Sequence, residues 1–296
     1  MSIDLRWIAS SSASCFHTAH LLATGSEIID QQLSTELNQP VQALMSAIAN
    51  LGLEPAQVWQ HLIPLSAGIE NNNELADVTL RKLIPISEIT QSKQTQLSGC
   101  FQDLENAYRT RFPKLADELI QRIRPLREQW EARGPGLMDT VGRLTEPNLL
   151  VGSADVILVQ PSSGGRGVAH LDYNSVRLEA MLYNVDRTLP EVVRLAWLIS
   201  QLNLDLPVYS ERIQRDRLRL IAGYAMLPAC FQAAEEVELL SLNQASFAAA
   251  LEAWRISPTD NDQLSSTLLD WWQTYQQTNS SWTVALHALD QMLADV

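Results

Sequence analysis

His170, Asp172, Arg177 and Glu179 gather in one short stretch, residues 152–183, which reads GSADVILVQPSSGGRGVAHLDYNSVRLEAMLY. Folding VAHLDYNSVRLEAML as two strands around a tight turn at Tyr173 and Asn174 pairs Asp172 with Ser175, His170 with Arg177, and Val168 with Glu179. Because side chains alternate along a strand, all four polar residues then share one face, and Ala169, Leu171, Val176, Leu178 and Ala180 share the other. On such a face His170 is a candidate general base, with Asp172 or Glu179 to orient it. Arg177 offers a planar fork of donors for a carboxylate or phosphate. The competing expectation is a solvated strand face, on which these neighbours need no chemistry. A slip of one residue between the strands would break the grouping.

Just before the hairpin, Ser162, Ser163, Gly164, Gly165, Arg166 and Gly167 are candidate ligand-binding residues. Glycines let successive backbone N–H groups converge on an anion, with Arg166 beside them. The run lacks the Lys-Ser/Thr ending of a P-loop, and a strand-like stretch follows it rather than a helix. It therefore also reads as a plain turn. Cys15, His17 and His20 lie within helical reach of one another and raise the question of a metal, yet His61, His170 and His287 are scattered and no further ligand set is evident. No metal and no cofactor is assigned. Arg212, Arg215 and Arg219 make a stripe along one helix face, with Arg217 off it; the acidic C-terminal third is the expected source of their salt-bridge partners.

These groups have to be positioned by a largely helical chain. A helix is expected over 14–33, weakened by Gly25, and another over 41–52 with Gly52 as its stop. Pro55 opens a short third helix, residues 68–74 form a loop, and Pro85 halts a fourth helix. The polar stretch 86–99 reads as a linker. A helical region over 100–130 is broken at Pro113 and bent at Pro125, and ARGPGLM, residues 132–138, reads as a turn. DVILVQ, residues 155–160, is a strand. Helices resume at Pro190, with Ser210 as a cap, a break near Pro228, and a loop at Asp260, Asn261 and Asp262. The fold class is α+β, predominantly helical with a small central antiparallel sheet or hairpin. Residues 1–98 form a helical region and residues 99–296 a second one around the β segment, unless all are one domain.

Composition narrows the partners. The 296 residues carry a formal net charge of −13, which disfavours general binding to nucleic acid or to an anionic membrane. Sixteen of the 21 basic residues nevertheless fall between Arg109 and Arg219, leaving room for a local anion site. Cys15, Cys100 and Cys230 are too few and too far apart for a disulfide framework, and no stretch is long and apolar enough for a membrane span. The start of the chain makes a poor signal peptide, so a reducing, cytoplasmic location is expected. Of the tryptophans, Trp271 and Trp272 cannot both face one side of a helix, and one of them is expected to be exposed for docking a protein partner.

In layout, residues 152–240 resemble the zincin-type metallopeptidases. GGRGVAHLDYNSVRLEAMLYN stands where that family has the hairpin beside its cleft, and LPEVVRLAWLISQL where it has the helix bearing the HExxH motif. GYAMLPACFQAAEEVELL stands in the region of the third ligand, near Glu235 or Glu236. The helix carries Arg194, Leu195, Ala196, Trp197 and Leu198, so it holds neither the two histidines nor the glutamate that metal-activated hydrolysis requires. The resemblance thus implies a metal-free, inactive scaffold and carries over no catalytic residue. The sequence as a whole points first to binding or assembly with a protein partner. The alternatives are an enzyme or small-anion-binding protein built on the hairpin and Gly-rich loop, and the inactive zincin-like scaffold.

Overall fold

The computed structural model describes residues 3–256, 261–278 and 280–294. It has a predominantly helical fold with one small sheet, in the order β1 Asp4–Ala9, β2 Ser153–Val159, β4 Ser175–Glu179, β3 Gly167–His170. The chain divides into two compact units. The smaller comprises Trp7–Arg122 and Ile157–Gly164, and the larger comprises Met1–Arg6, Ile123–Val156 and Gly165–Val296. A boundary at 98/99 falls inside the helix α5, Gln91–Arg111.

In the smaller unit α1, Ser11–Ala23, packs against α2 (Gln31–Asn50), α3 (Pro55–Leu65) and α5. Ser10 caps α1 by accepting a hydrogen bond from the Ala13 amide, so the helix starts before the expected Ser14. It also ends early, since Gly25 takes φ +70° and the chain then re-enters a helix after Asp30, whose carboxylate accepts the Gln32 and Leu33 amides. Leu33, Leu37, Val41, Leu44, Ala47 and Ile48 repeat at helical spacing along the buried side of α2, and Gly52 at φ +67° ends it as expected. Pro55 opens α3, and α4 (Asn72–Leu83) begins inside the expected loop because Asn71 caps it. The expected linker 86–99 is instead a short turn followed by the first turns of α5. Thr90 supplies the cap there, and Leu97 and Phe101 are buried.

α6, Leu115–Leu144, begins after the break at Pro113 and runs through both Pro125 and Pro135. The expected turn at 132–138 is therefore helix. Gly134 explains part of this: a Cβ there would come within 2.5 Å of the Trp130 ring, so the bare glycine gives the buried indole of the preceding turn its place. The other helices of the larger unit are α7 Glu191–Ile199, α8 Pro207–Ser210, α9 Arg215–Glu236, α10 Gln244–Ala253, α11 Asn261–Thr278 and α12 Trp282–Met292. Pro228 lies inside α9 and does not break it, and Ser210 closes α8 rather than capping α9. Asn261 and Asp262, expected in a loop, open α11, and Asp260 lies outside the described residues.

Trp271 and Trp272 are 3% and 2% exposed, which corrects the expectation of one exposed indole. They differ in direction, but both directions are covered. Trp271 donates to the Ala285 carbonyl at 2.8 Å and lies edge-on to Trp282, while Trp272 donates to Gln232 Oε1 at 2.6 Å. A second aromatic group joins Trp197, stacked on Trp254 at 5.6 Å, to Phe231. Wide aromatic surfaces buried here, with the N–H groups of Trp197, Trp271 and Trp272 paired, are a large favourable contribution to this unit.

The hairpin differs from expectation in its turn. β3 and β4 pair antiparallel as Gly167 with Leu178, Val168 with Arg177, Ala169 with Val176 and His170 with Ser175. The connection is a 3-10 turn, Leu171–Tyr173, closed by Asn174 at φ +46°. A two-residue hairpin turn requires φ > 0 at two successive positions or a glycine. Tyr173-Asn174 supplies only Asn174, so the turn lengthens and the register moves by two residues. A shift of two preserves the faces, but it puts Val168 rather than His170 opposite Arg177, and it takes Asp172 off the strand. Asn174 Nδ2 fixes the turn by donating to the Ser153 carbonyl at 2.8 Å.

Candidate functional site

The polar face of the hairpin is interior. Every residue of β4 is buried, as is His170, so the alternative of a solvated face is overturned. The four candidate residues also part company. His170, Arg177 and Glu179 remain on the strands, whereas Asp172 joins a different group of charges.

Glu179 sets the conformation of the Gly-rich loop. Its Oε2 accepts the Gly165 amide at 2.7 Å and the Arg166 amide at 3.2 Å. Consecutive N–H groups therefore converge on a carboxylate of the same chain, which is the nest geometry expected for an external anion. Gly165 reaches it with φ +128°, and a Cβ there would lie 2.5 Å from Val185. On α7, Arg194 is fully buried; it pairs with Glu191 and donates to the carbonyls of Gly165 and Glu179. In the smaller unit Ser162 Oγ is 2.8 Å from Thr18 Oγ1, and its carbonyl accepts the Ile29 amide at 2.9 Å. Gly167 packs so closely that a Cβ would meet Leu198 at 2.7 Å. Ser163 lies between these anchors, next to Gly164 with its φ of +84°.

Asp172 faces helix α9. Arg215 and Arg219 converge on its two oxygens at 3.2 and 2.9 Å. The stripe's partner is thus the hairpin turn, and the acidic tail instead serves the off-stripe Arg217 through Asp290 at 2.7 Å. Asp172, Arg215 and Arg219, with Asp205 and Ser210, line a concavity of about 360 Å³ in the larger unit. Burial raises the Asp205 carboxyl above its ordinary value, and Asp172 adds to the shift. Burial also pushes the Tyr173 hydroxyl up to about 12, again with Asp172 adding to it.

A larger cavity, about 440 Å³, lies in the smaller unit. Ser10, Ser11 and Ser12 at the start of α1 form one wall, with Cys15 one turn on; Glu105, Tyr108 and Arg109 from α5 and Glu70 complete the polar lining. The Ser12 hydroxyl oxygen is buried there with no hydrogen-bond partner among the described residues. Burial holds the Cys15 thiol well above its ordinary pKa, Glu105 raises it further, and Arg109 opposes them. A thiol so held is a poor nucleophile. Sequence reasoning missed this cavity because it placed the helix start at Ser14. The signal was present in Ser10-Ser11-Ser12 ahead of an apolar run, a pattern of helix-capping residues.

Cys15, His17 and His20 do not form a metal cluster. Cys15 and His17 are buried among α1's neighbours, and His20 packs against Trp59 with ring centroids 5.5 Å apart. Among the described residues no group of three or more His, Cys, Asp or Glu side chains is placed to hold a metal ion, and no helix is long and apolar enough to cross a membrane. No protein-family model, no curated protein and no solved structure matches the chain, so none points to a zincin-type fold.

Proposed function

We propose that the protein acts by binding, and that its ligand is a small polar molecule carrying one acidic group, held in the cavity of the smaller unit. The observation that carries this reading is the Ser12 hydroxyl, buried without a partner among the described residues, in a cavity of about 440 Å³ at the start of a 13-residue helix. A volume of that size falls within the range of small-molecule sites. The first amides of a helix have no partner within it, and the macrodipole places partial positive charge there, so an acidic group is favoured. Arg109 lines the same space and can pair with that group bidentately. Glu70 and Glu105, which also line the cavity, disfavour a second negative charge and suit hydroxyl or amine donors. Binding is favoured over nucleophilic catalysis because the cysteine in this cavity is held as its thiol.

The experiment is a thermal-shift screen of the full chain with hydroxy acids, amino acids and sugar phosphates. The expected result is saturable stabilisation by one class, reduced by Ser12→Ala and Arg109→Gln and unaffected by Arg215→Gln, whose side chain lies in the other concavity. Stabilisation that Arg215→Gln abolishes and Arg109→Gln leaves intact would move the site, and no stabilisation by any class would overturn the reading.

A further inference from the structure

We infer that the buried polar face of β4 holds a small inorganic anion of halide size, bound by the Ser175 hydroxyl and the Arg177 guanidinium. Ser175 and Arg177 are two residues apart on one strand, so their side chains leave the same face about 7 Å apart at the backbone, within joint reach of one small ion. They are 2% and 3% exposed. Ser175 Oγ and Arg177 Nη1 are both buried with no hydrogen-bond partner among the described residues. A guanidinium only donates, so what is missing at Nη1 is an acceptor. Leaving such a group unsatisfied in the interior is costly, and more so when it is charged.

Charge decides what kind of acceptor fits. The charged groups acting on Arg177 are Glu179, which attracts, and Arg166, which repels; Arg166 is in turn repelled by Arg255. Arg194 is already matched by Glu191. Arg166 and Arg177 therefore share the one remaining carboxylate, Glu179, whose Oε2 already accepts two backbone amides. Water would satisfy the orphan donors without offsetting this excess; an anion does both. The ion must be small, since the face is closed to solvent and neither of the two cavities described above is lined by Ser175 or Arg177.

The test is unfolding of the full chain in sodium chloride against sodium gluconate at matched ionic strength, together with a crystal grown in sodium bromide. Chloride is expected to stabilise saturably where the bulky gluconate does not, and bromide to give an anomalous peak between Ser175 and Arg177. Arg177→Met should lose the halide response, and Ser175→Ala should raise the half-effect concentration about tenfold, as removal of one hydrogen bond to a charged group does. Should Arg177→Met fail to fold, Ser175→Ala and the bromide crystal decide. Equal stability in the two salts, or a water at the position in the bromide crystal, would overturn the inference.

Discussion

Gly165 and Glu179 together fix the end of the Gly-rich loop. With φ +128° and Val185 2.5 Å from an added Cβ, Gly165→Ala combines backbone strain with a steric clash. It should cost about 1–3 kcal/mol in urea unfolding, and an unchanged midpoint would show that the loop is not held as described. Glu179→Gln keeps the shape but removes the negative charge from among Arg166 and Arg177. Breaking a buried pairing in this way leaves uncompensated cations, and a loss of about 3 kcal/mol is expected by the same measurement. Thiol chemistry gives an independent check. Burial raises the pKa of Cys15 well above, and that of Cys230 to about 12, whereas Cys100 is only half-buried. Native protein at pH 8 should therefore alkylate at Cys100 first, and rapid modification of Cys15 would contradict a thiol held protonated by burial.

Among the helices, Gly134 in α6 sets propensity against packing. Alanine is favoured over glycine in a helix interior by up to about 1 kcal/mol. Here the added Cβ would lie 2.5 Å from the Trp130 ring, and overpacking costs typically about 1–3 kcal/mol. Gly134→Ala is thus expected to destabilise, and a stabilised variant would show that the indole moves aside freely. Asp30 supports the entry to α2. Hydrogen bonds from the Leu33 amide, with Arg111 and Gln32 adding, hold its carboxyl below the ordinary value. A folded pKa below the unfolded one means that its contribution is fully present above about pH 4 and is lost as pH falls through the folded value. Asp30→Asn should therefore flatten the acid limb of the stability profile, while an identical limb would argue against the cap.

At the scale of the whole molecule, the helical class and the β segment were legible because periodicity reports which side of an element is buried. The caps at Pro55 and Gly52 were legible for the same local reason. What was not legible depends on contacts far along the chain. ARGPGLM has the composition of a turn, and its helix is sustained around Trp130. The polarity of Ser175, Arg177 and Glu179 suggested a solvated face, and tertiary packing buries it. The hairpin's faces were read correctly while its register was not, because faces follow from alternation and register follows from the turn. The amides of the Gly-rich loop converge on Glu179, 14 residues on from Gly165, which could not be told from spacing. The serine wall at 10–12 was missed because the helix start was placed too late.

The central claim is that the cavity at the start of α1 binds a small molecule with one acidic group. Titration calorimetry of the best stabilising compound into the full chain tests it most directly, with Arg109→Gln and Ser12→Ala alongside. Loss of a charge-assisted hydrogen bond predicts binding to the wild type that weakens about tenfold or more in Arg109→Gln, with a smaller loss in Ser12→Ala. Equal affinity in all three proteins would contradict it.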